Sequence, residues 1–135
     1  MAKQFGDAIV IDDDPNICSL LKTYLEDMGV FRNIVTAADG SIAANKLQNQ
    51  KFALILLDIN MPKKSGLDIL KEFDKNNPNN VNNVLIVSGE LAKHTLTVAM
   101  DRGVTNFLTK PFDQEAFKSK VISTLKKAFM NGGDV

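Results

Sequence analysis

The chain has 135 residues, of which 44% are hydrophobic and 24% charged, and its 16 basic and 16 acidic side chains give a formal net charge of zero. This composition predicts one soluble globular domain and excludes a disordered, collagen-like or coiled-coil chain. The balanced charge argues against direct binding to nucleic acid, and the longest apolar run, residues 52–57, is too short to span a membrane. A single cysteine, Cys18, permits no internal disulfide, so we expect a cytoplasmic protein.

Short apolar runs alternate with amphipathic patterns along the chain, which predicts strands followed by helices. The predicted strands are residues 8–11, 33–37, 52–58, 83–88 and 106–108. The predicted helices are residues 15–28, a helix that Asp39 or Ser41 caps and that runs to about residue 47, and residues 65–76, 91–102 and 113–129. In the first helix, Ile17, Leu21 and Leu25 lie on one face, and Gly29 is a natural stop.

The third predicted strand, residues 52–58, does not alternate between apolar and polar side chains, which is typical of a strand covered on both faces of a parallel sheet. Five strand–helix repeats with right-handed crossovers predict a doubly wound α/β fold, with helices on both faces of a five-stranded parallel sheet. We expect a single domain with a core at about residues 7–129 and no effector domain. Six of the ten residues at 74–83 are asparagine, and there we expect a solvated turn.

Polar side chains follow four of the predicted strands. They are Asp12, Asp13 and Asp14 after the first strand, Asp58 at the third, Ser88 at the fourth and Lys110 after the fifth. The carboxyl ends of parallel strands meet at one edge of the sheet, where ligands of such folds bind. Acids and hydroxyls after strands also cap helices, so any one of these residues alone has a purely structural interpretation. Four such strand ends together favour a functional site.

The acids at this edge predict a divalent metal ion. Three carboxylates held together repel one another unless a cation joins them, and oxygen ligands favour Mg²⁺ or Mn²⁺. The charges of Asp12, Asp13 and Asp58 then sum to zero with a divalent ion and Lys110, since −3 + 2 + 1 = 0. A carboxylate is also a nucleophile toward phosphorus and forms an acyl phosphate. The hydroxyl of Ser88 can donate a hydrogen bond to a phosphoryl oxygen.

These residues resemble the receiver domain of two-component response regulators, and the resemblance runs from Ala8 to about Phe129. The family has an acidic pair after the first strand, an Asp-x-x-Met-Pro-x-x-x-Gly stretch, a Ser or Thr after the fourth strand, and Lys-Pro after the fifth. The matching residues are Asp12-Asp13, Asp58 to Pro62 with Gly66, Ser88-Gly89 and Lys110-Pro111. Each motif is weak alone, but together, in order and at predicted strand ends, they are specific.

The resemblance implies that Asp58 is the phosphoacceptor, with self-phosphorylation and self-dephosphorylation chemistry but no other enzymatic activity. It implies that Asp12 and Asp13 hold Mg²⁺ together with Asp58 and the backbone carbonyl of Asn60. Ser88 would hold one phosphoryl oxygen. Ser88 is smaller than the frequent Thr, because it lacks a methyl group that could limit its rotamers.

The resemblance also implies a switch. Lys110 would pair with the phosphoryl group, aimed by a cis peptide bond to Pro111. Phe107 would rotate together with the movement of Ser88, although Phe107 lacks the hydroxyl of the tyrosine found in other members. Asn60 and Glu90, two residues after the acceptor and after the serine, would tune dephosphorylation.

The implied fold is flavodoxin-like, (βα)₅, with strand order 2-1-3-4-5. The implied partners are a sensor histidine kinase or a histidine phosphotransfer protein as donor, docking at the first helix and the loops around the site, and an unidentified downstream protein. The downstream protein would bind the fourth helix, fifth strand and fifth helix.

Other functions fit part of the pattern. The chain resembles a receiver cut from a longer DNA-binding or enzymatic regulator or hybrid kinase. Asp12-x-Asp14 also resembles the nucleophile motif of haloacid-dehalogenase-like phosphatases, but only Asp113, Glu115 and Asp134 follow Lys110 as candidates for their further acidic pair. A flavodoxin-type cofactor binder is disfavoured, because three aspartates after the first strand repel phosphate. A receiver-like scaffold without phosphoacceptor chemistry is disfavoured by the intact set of site residues.

Overall fold

The computed structural model of the protein describes residues 5–73 and 76–130, in which strands and helices alternate. The strands are β1 (Ala8–Ile11), β2 (Ile34–Ala37), β3 (Leu54–Leu57), β4 (Val84–Ser88) and β5 (Asn106–Thr109). The helices are α1 (Pro15–Met28), α2 (Gly40–Asn49), α3 (Gly66–Lys71), α4 (Lys93–Asp101) and α5 (Gln114–Met130). A single 3₁₀ turn, Val81–Asn83, precedes β4.

All strand pairs in the sheet are parallel, and the strand order is β2-β1-β3-β4-β5. In register, Ile9 pairs with Val35 on one side and with Ile55 on the other. The doubly wound fold with order 2-1-3-4-5 is therefore confirmed. In this topology β1 and β3 lie side by side near the centre, so the residues that follow them are neighbours.

Successive side chains of the strands point to opposite faces and form two cores. In β1, Ile9 and Ile11 belong to one buried cluster, which α2, α3 and α4 cover. Ala8 and Val10 belong to the other, which α1 and α5 cover. This two-sided burial explains why the third strand is apolar at every position. In the described part of the chain, none of the helices is both long and apolar enough to cross a membrane.

Side-chain caps start four of the helices, α5 among them, where the Asp113 carboxylate accepts from the Ala116 N–H at 2.8 Å. The carboxylate of Asp14 accepts a hydrogen bond from the Asn16 N–H at the start of α1, and Gly29 ends that helix in the left-handed conformation with φ of 67°. Of the two candidate caps of α2, Asp39 is the one that accepts, from the Ile42 N–H at 2.8 Å. Ser65 caps α3 in a reciprocal capping box.

Two helices are shorter than predicted. The third ends at Lys71 and not near residue 76, because Glu72 and Phe73 donate to carbonyls three residues back and tighten the last turn. Residues 74 and 75, part of that prediction, lie outside the described residues. The fourth begins at Lys93 and not at residue 91, because Ala92 is extended and Leu91 packs against the core.

The prediction of a solvated asparagine-rich turn is wrong at two positions, since Asn79 and Asn83 are buried. The carboxamide of Asn79 donates to the main-chain oxygens of Leu47 and Gln50 at 2.7 and 2.8 Å and accepts from the Phe52 N–H at 2.8 Å. Asn83 donates to the main chain just before β3 at 2.8 Å. Through its hydrogen bonds to these main-chain groups, the buried carboxamide of Asn79 connects the end of α2 to the start of β3.

Candidate functional site

The carboxyl ends of four strands bring the predicted polar residues to one edge of the sheet. Main-chain hydrogen bonds continue past the strand ends and fix these residues. Asp12 N–H donates to the Ala37 oxygen at 3.2 Å and Asp58 N–H to the Ile11 oxygen at 3.0 Å. Lys110 N–H donates to the Ser88 oxygen at 2.9 Å. Asp12, Asp58, Ser88 and Lys110 are therefore positioned by the sheet itself and not by mobile loops.

Three carboxylates form an acidic cluster at this edge. One oxygen each of Asp12, Asp13 and Asp58 lies within 4.8 Å of the other two. Asp12 and Asp58 are only 1% and 5% exposed, whereas Asp13 is open to solvent. Burial, together with the nearby charge of Asp12, raises the pKa of Asp58 above its ordinary value. A cluster of carboxylate oxygens, one of them solvent-facing, is a donor set suited to a hard divalent cation.

The ammonium of Lys110 lies between two of these acids. Its Nζ is 2.6 Å from Asp12 Oδ2 and 3.7 Å from Asp58 Oδ2. Burial by itself lowers the pKa of Lys110, but the hydrogen bond to Asp12 and the charges of Asp58 and Asp12 outweigh it and raise the pKa. Lys110 is therefore a persistent cation beside Asp58. The peptide bond from Lys110 to Pro111 is cis.

Ser88 completes the surroundings of Asp58. Its side chain is fully buried, and its hydroxyl donates to Asp58 Oδ1 at 3.1 Å. The same carboxylate oxygen accepts from the Asn60 N–H at 3.2 Å. The side chain of Asn60 in turn donates to Ser88 Oγ at 3.1 Å and to the main-chain oxygen of Glu90 at 3.1 Å. The sequence also predicts Glu90 as a site residue, but its side chain is exposed and does not join the cluster.

The predicted switch residue Phe107 lies on β5, which β4 separates from β3. Its ring is half-buried and packs against the core cluster on the α2, α3 and α4 side of the sheet, as does Leu91 from the segment before α4. Phe107 shares β5 with the residues that lead into Lys110.

Besides the side-chain contacts of Asn60, two contacts at the site were not predicted from the sequence. The Cys18 thiol on α1 donates to the main-chain oxygen of Asp12 at 3.1 Å, and burial raises the pKa of that thiol. Gly66 packs so closely that a Cβ there would lie 2.5 Å from the main-chain oxygen of Asp58. Gly66 is part of the sequence motif that begins at Asp58, but only the packing in the structure shows why no side chain fits at this position. The thiol carries no sequence signal, since buried cysteines are common in cores.

Known proteins are similar to this chain over the region that contains these site residues. Residues 8–122 match the model of the response regulator receiver domain. The chain is 29% identical over 113 residues to the chemotaxis protein CheY of Pseudomonas aeruginosa, covering 84% of this chain and 90% of that protein. It is 27% identical over 120 residues to the alkaline phosphatase synthesis transcriptional regulatory protein PhoP of Bacillus subtilis, covering 89% of this chain. This chain spans only 48% of the length of PhoP.

One of the solved structures with a similar fold is that of a complex. The crystal structure of the CheX–CheY–BeF₃–Mg²⁺ complex from Borrelia burgdorferi is similar to this chain with a TM-score of 0.73 and 28% identity, over 90% of this chain and 89% of that one. All of the residues that converge at the edge of the sheet fall within the matched range 8–122. The chain belongs to the response regulator receiver domain family, the signalling modules of two-component systems.

Proposed function

We propose that this chain accepts a phosphoryl group on Asp58 from a phosphohistidine donor and thereby switches a protein-binding surface. The observation that carries the proposal is the setting of the Asp58 carboxylate. The Ser88 hydroxyl lies 3.1 Å from its Oδ1 and the Lys110 ammonium lies 3.7 Å from its Oδ2. A hydroxyl donor and a cation on two sides of one carboxylate can hold the oxygens of a phosphoryl group attached to it.

The donor set fits Mg²⁺ or Mn²⁺. The carboxylates of Asp12, Asp13 and Asp58 would hold the ion together with the main-chain carbonyl of Asn60. Without a cation beyond Lys110, the cluster has an excess charge of −3 + 1 = −2, which a divalent ion would neutralise. When bound, the ion would offset the negative charge of the incoming phosphoryl group.

The transfer itself balances as a substitution at phosphorus. A carboxylate oxygen of Asp58 forms a bond to phosphorus, the P–N bond of the donor breaks, and the donor imidazole keeps the electron pair and takes up a proton. The same attack on acetyl phosphate would release acetate, which is self-phosphorylation. Attack of water on the acyl phosphate would release inorganic phosphate and restore the carboxylate of Asp58, which is self-dephosphorylation.

The switch would use the residues that surround the acceptor. A phosphoryl group on Asp58 adds negative charge that attracts the Lys110 ammonium and offers new acceptors to the Ser88 hydroxyl. Movement of Ser88 would pull the loop after β4, and Phe107 would turn inward in response. A shift of a few kcal/mol is enough to reverse such a two-state population. The surface read by the target would be α4, β5 and α5.

Partners follow from this scheme. A sensor histidine kinase or a histidine phosphotransfer protein would dock at α1 and the loops around the site, and a downstream protein would read the switched surface. A second candidate is the receiver segment of a longer DNA-binding or enzymatic regulator or of a hybrid kinase. The observation in its favour is that this chain spans 48% of the Bacillus subtilis regulator PhoP.

The test uses a small phosphodonor, so that no partner needs to be known. Wild type, Asp58→Asn and the control Asp101→Asn, which alters an exposed acid of α4, are incubated with acetyl phosphate and Mg²⁺ and their intact masses are followed. We expect one phosphoryl adduct on wild type and on the control, none on Asp58→Asn, and none after the metal is chelated. An equal adduct on Asp58→Asn would reject the proposal. Steady phosphate release that Asp12→Ala abolishes and Asp58→Asn preserves would instead indicate a phosphatase.

A further inference from the structure

The side chain of Asn60 connects the loop after β3 to the loop after β4. Its Nδ2 atom donates to Ser88 Oγ at 3.1 Å and to the main-chain oxygen of Glu90 at 3.1 Å. A carboxamide nitrogen has two N–H groups, and here each has its own acceptor. Because a main-chain oxygen can only accept, the nitrogen of the Asn60 carboxamide must be the atom that faces Glu90.

These contacts also direct the hydroxyl of Ser88. Ser88 Oγ lies 3.1 Å from Asp58 Oδ1 and 3.4 Å from the Glu90 oxygen. Since the hydroxyl accepts from Asn60 and has a single proton, it donates to the nearer and charged acceptor, Asp58. The Asn60 main chain donates to the same Asp58 oxygen at 3.2 Å. Asn60, Ser88 and Asp58 therefore form a closed network that includes the main chain of the loop after β4.

We propose that the carboxamide of Asn60 is a resting-state latch. It holds the Ser88 side chain and the Glu90 main chain in the unphosphorylated arrangement, and the switch must break these two hydrogen bonds. The inference rests on the proposed function, because it takes Asp58 as the acceptor. The oxygens of a phosphoryl group on Asp58 lie farther from β3 than the carboxylate oxygens do, so Ser88 must move to reach them and its loop must follow.

The latch has a measurable consequence, because it stabilises only one of the two conformers. Loss of one or two hydrogen bonds of ordinary strength changes a two-state ratio by roughly five- to thirtyfold. Removing the carboxamide therefore raises the fraction of activated conformer in the unphosphorylated protein by that factor. It also tightens the binding of a phosphoryl mimic by the same factor, since none of the binding energy is then needed to break the hydrogen bonds of Asn60. Asn60 is in this sense a positioning residue that acts through Ser88.

The test compares wild type with Asn60→Ala and Asn60→Ser, using beryllofluoride as the phosphoryl mimic at saturating Mg²⁺. Nitrogen-15 NMR spectra give the affinity for the mimic and the amide shifts of residues 88–91 before and after its addition. The matched control is Asn49→Ala on α2, which also removes an exposed carboxamide with two hydrogen bonds, at 2.8 and 3.0 Å. Folding of each variant is checked by its urea denaturation midpoint.

We expect beryllofluoride to bind both Asn60 variants roughly five- to thirtyfold more tightly than wild type. In the free variants, the amide resonances should lie on the line between free and saturated wild type, and Asn49→Ala should match wild type. Unchanged or weaker binding of beryllofluoride by the Asn60 variants, with amide resonances away from this line, would overturn the latch. It would not affect the proposal that Asp58 is the acceptor. If wild type itself binds no beryllofluoride, the proposed function fails and the latch fails with it.

Discussion

The ammonium of Lys110 lies 2.6 Å from Asp12 and 3.7 Å from Asp58, so its closest partner is a proposed metal ligand and not the proposed acceptor. Asp12 is only 1% exposed, and its second oxygen accepts the Asp14 N–H at 2.9 Å. Lys110 therefore neutralises the oxygen of Asp12 that a cation would otherwise share. A metal ion and this lysine compete for the same negative charge.

This competition predicts that Lys110→Ala binds Mg²⁺ more tightly than wild type does. In a water-like dielectric, a unit charge about 4 Å from a divalent ion contributes about 2 kcal/mol, which corresponds to roughly a thirtyfold change in affinity. Calorimetric titration with Mg²⁺ alone measures it. Lys118→Ala on α5 removes an exposed lysine and serves as the control. Equal or weaker Mg²⁺ binding by Lys110→Ala would contradict the arrangement described for Asp12.

Gly66→Ala should destabilise the protein and displace the acceptor. A Cβ at position 66 would lie 2.5 Å from the main-chain oxygen of Asp58 and 2.8 Å from Ile59 Cα, and main-chain atoms cannot rotate away. We expect a loss of about 1–3 kcal/mol in the free energy of unfolding, measured by urea denaturation. In the control Gly6→Ala, the added Cβ meets no atom within 4 Å. If both variants have the same midpoint, the close packing is not a constraint.

Asp7→Asn should reveal a pH-dependent contribution to stability at the end of the sheet away from the site. Arg32 Nε and Asn33 Nδ2 donate to Asp7 Oδ1 at 2.9 and 3.1 Å, and Gln50 donates to Oδ2. Although burial opposes them, these hydrogen bonds hold the pKa of Asp7 below its ordinary value of 3.8. The ionised carboxylate therefore stabilises the fold above pH 3.8, and this stabilisation is lost as the pH falls through the lower, folded-state pKa.

The expected result is a loss of about 1.5–3 kcal/mol for Asp7→Asn at pH 7, a range typical of hydrogen bonds to a charged group. The difference from wild type should shrink as the pH drops below 3.8. Urea denaturation at several pH values measures both quantities. A difference that stays constant over this range would mean that the charge of Asp7 does not matter.

Asn79→Ala should destabilise the fold more than Asn80→Ala, although the residues are adjacent. Asn79 is buried and its carboxamide satisfies three main-chain groups, which the substitution would leave without partners. We expect a loss of about 2–3 kcal/mol for Asn79 and under about 1 kcal/mol for exposed Asn80, which accepts one local hydrogen bond. Equal urea midpoints for the two variants would contradict a structural role for Asn79.

Much of the site could be predicted because a parallel sheet turns sequence order into spatial order. Asp12, Asp58, Ser88 and Lys110 each lie at the carboxyl end of a strand, and the carboxyl ends of parallel strands must meet at one edge of the sheet. The local signals at Pro15 and Gly29 likewise define α1 within a residue. Such predictions depend on chain direction and local backbone preference, both of which are visible in the sequence.

Other features depend on partners that are distant in sequence, and no local pattern indicates them. Asn79 and Asp7 are polar residue types usually found at the surface, but hydrogen-bond donors and acceptors from other segments make their burial favourable. For Asn60 the resemblance implies metal binding by its main chain, whereas its side chain reaches Ser88, 28 residues away. The early end of α3 results from a tightened last turn, which helix propensity does not indicate.

The most direct test of the account identifies the residue that carries the phosphoryl group. Wild-type protein is treated with acetyl phosphate and Mg²⁺, the acyl phosphate is reduced with borohydride to homoserine, and the converted residue is located by peptide mass spectrometry. Asp12, Asp13 and Asp58 are all close enough to one another to compete. The account predicts conversion at Asp58 alone, where Ser88 and Lys110 flank the carboxylate. Conversion at Asp12 or Asp13, with Asp58 unmodified, would contradict it.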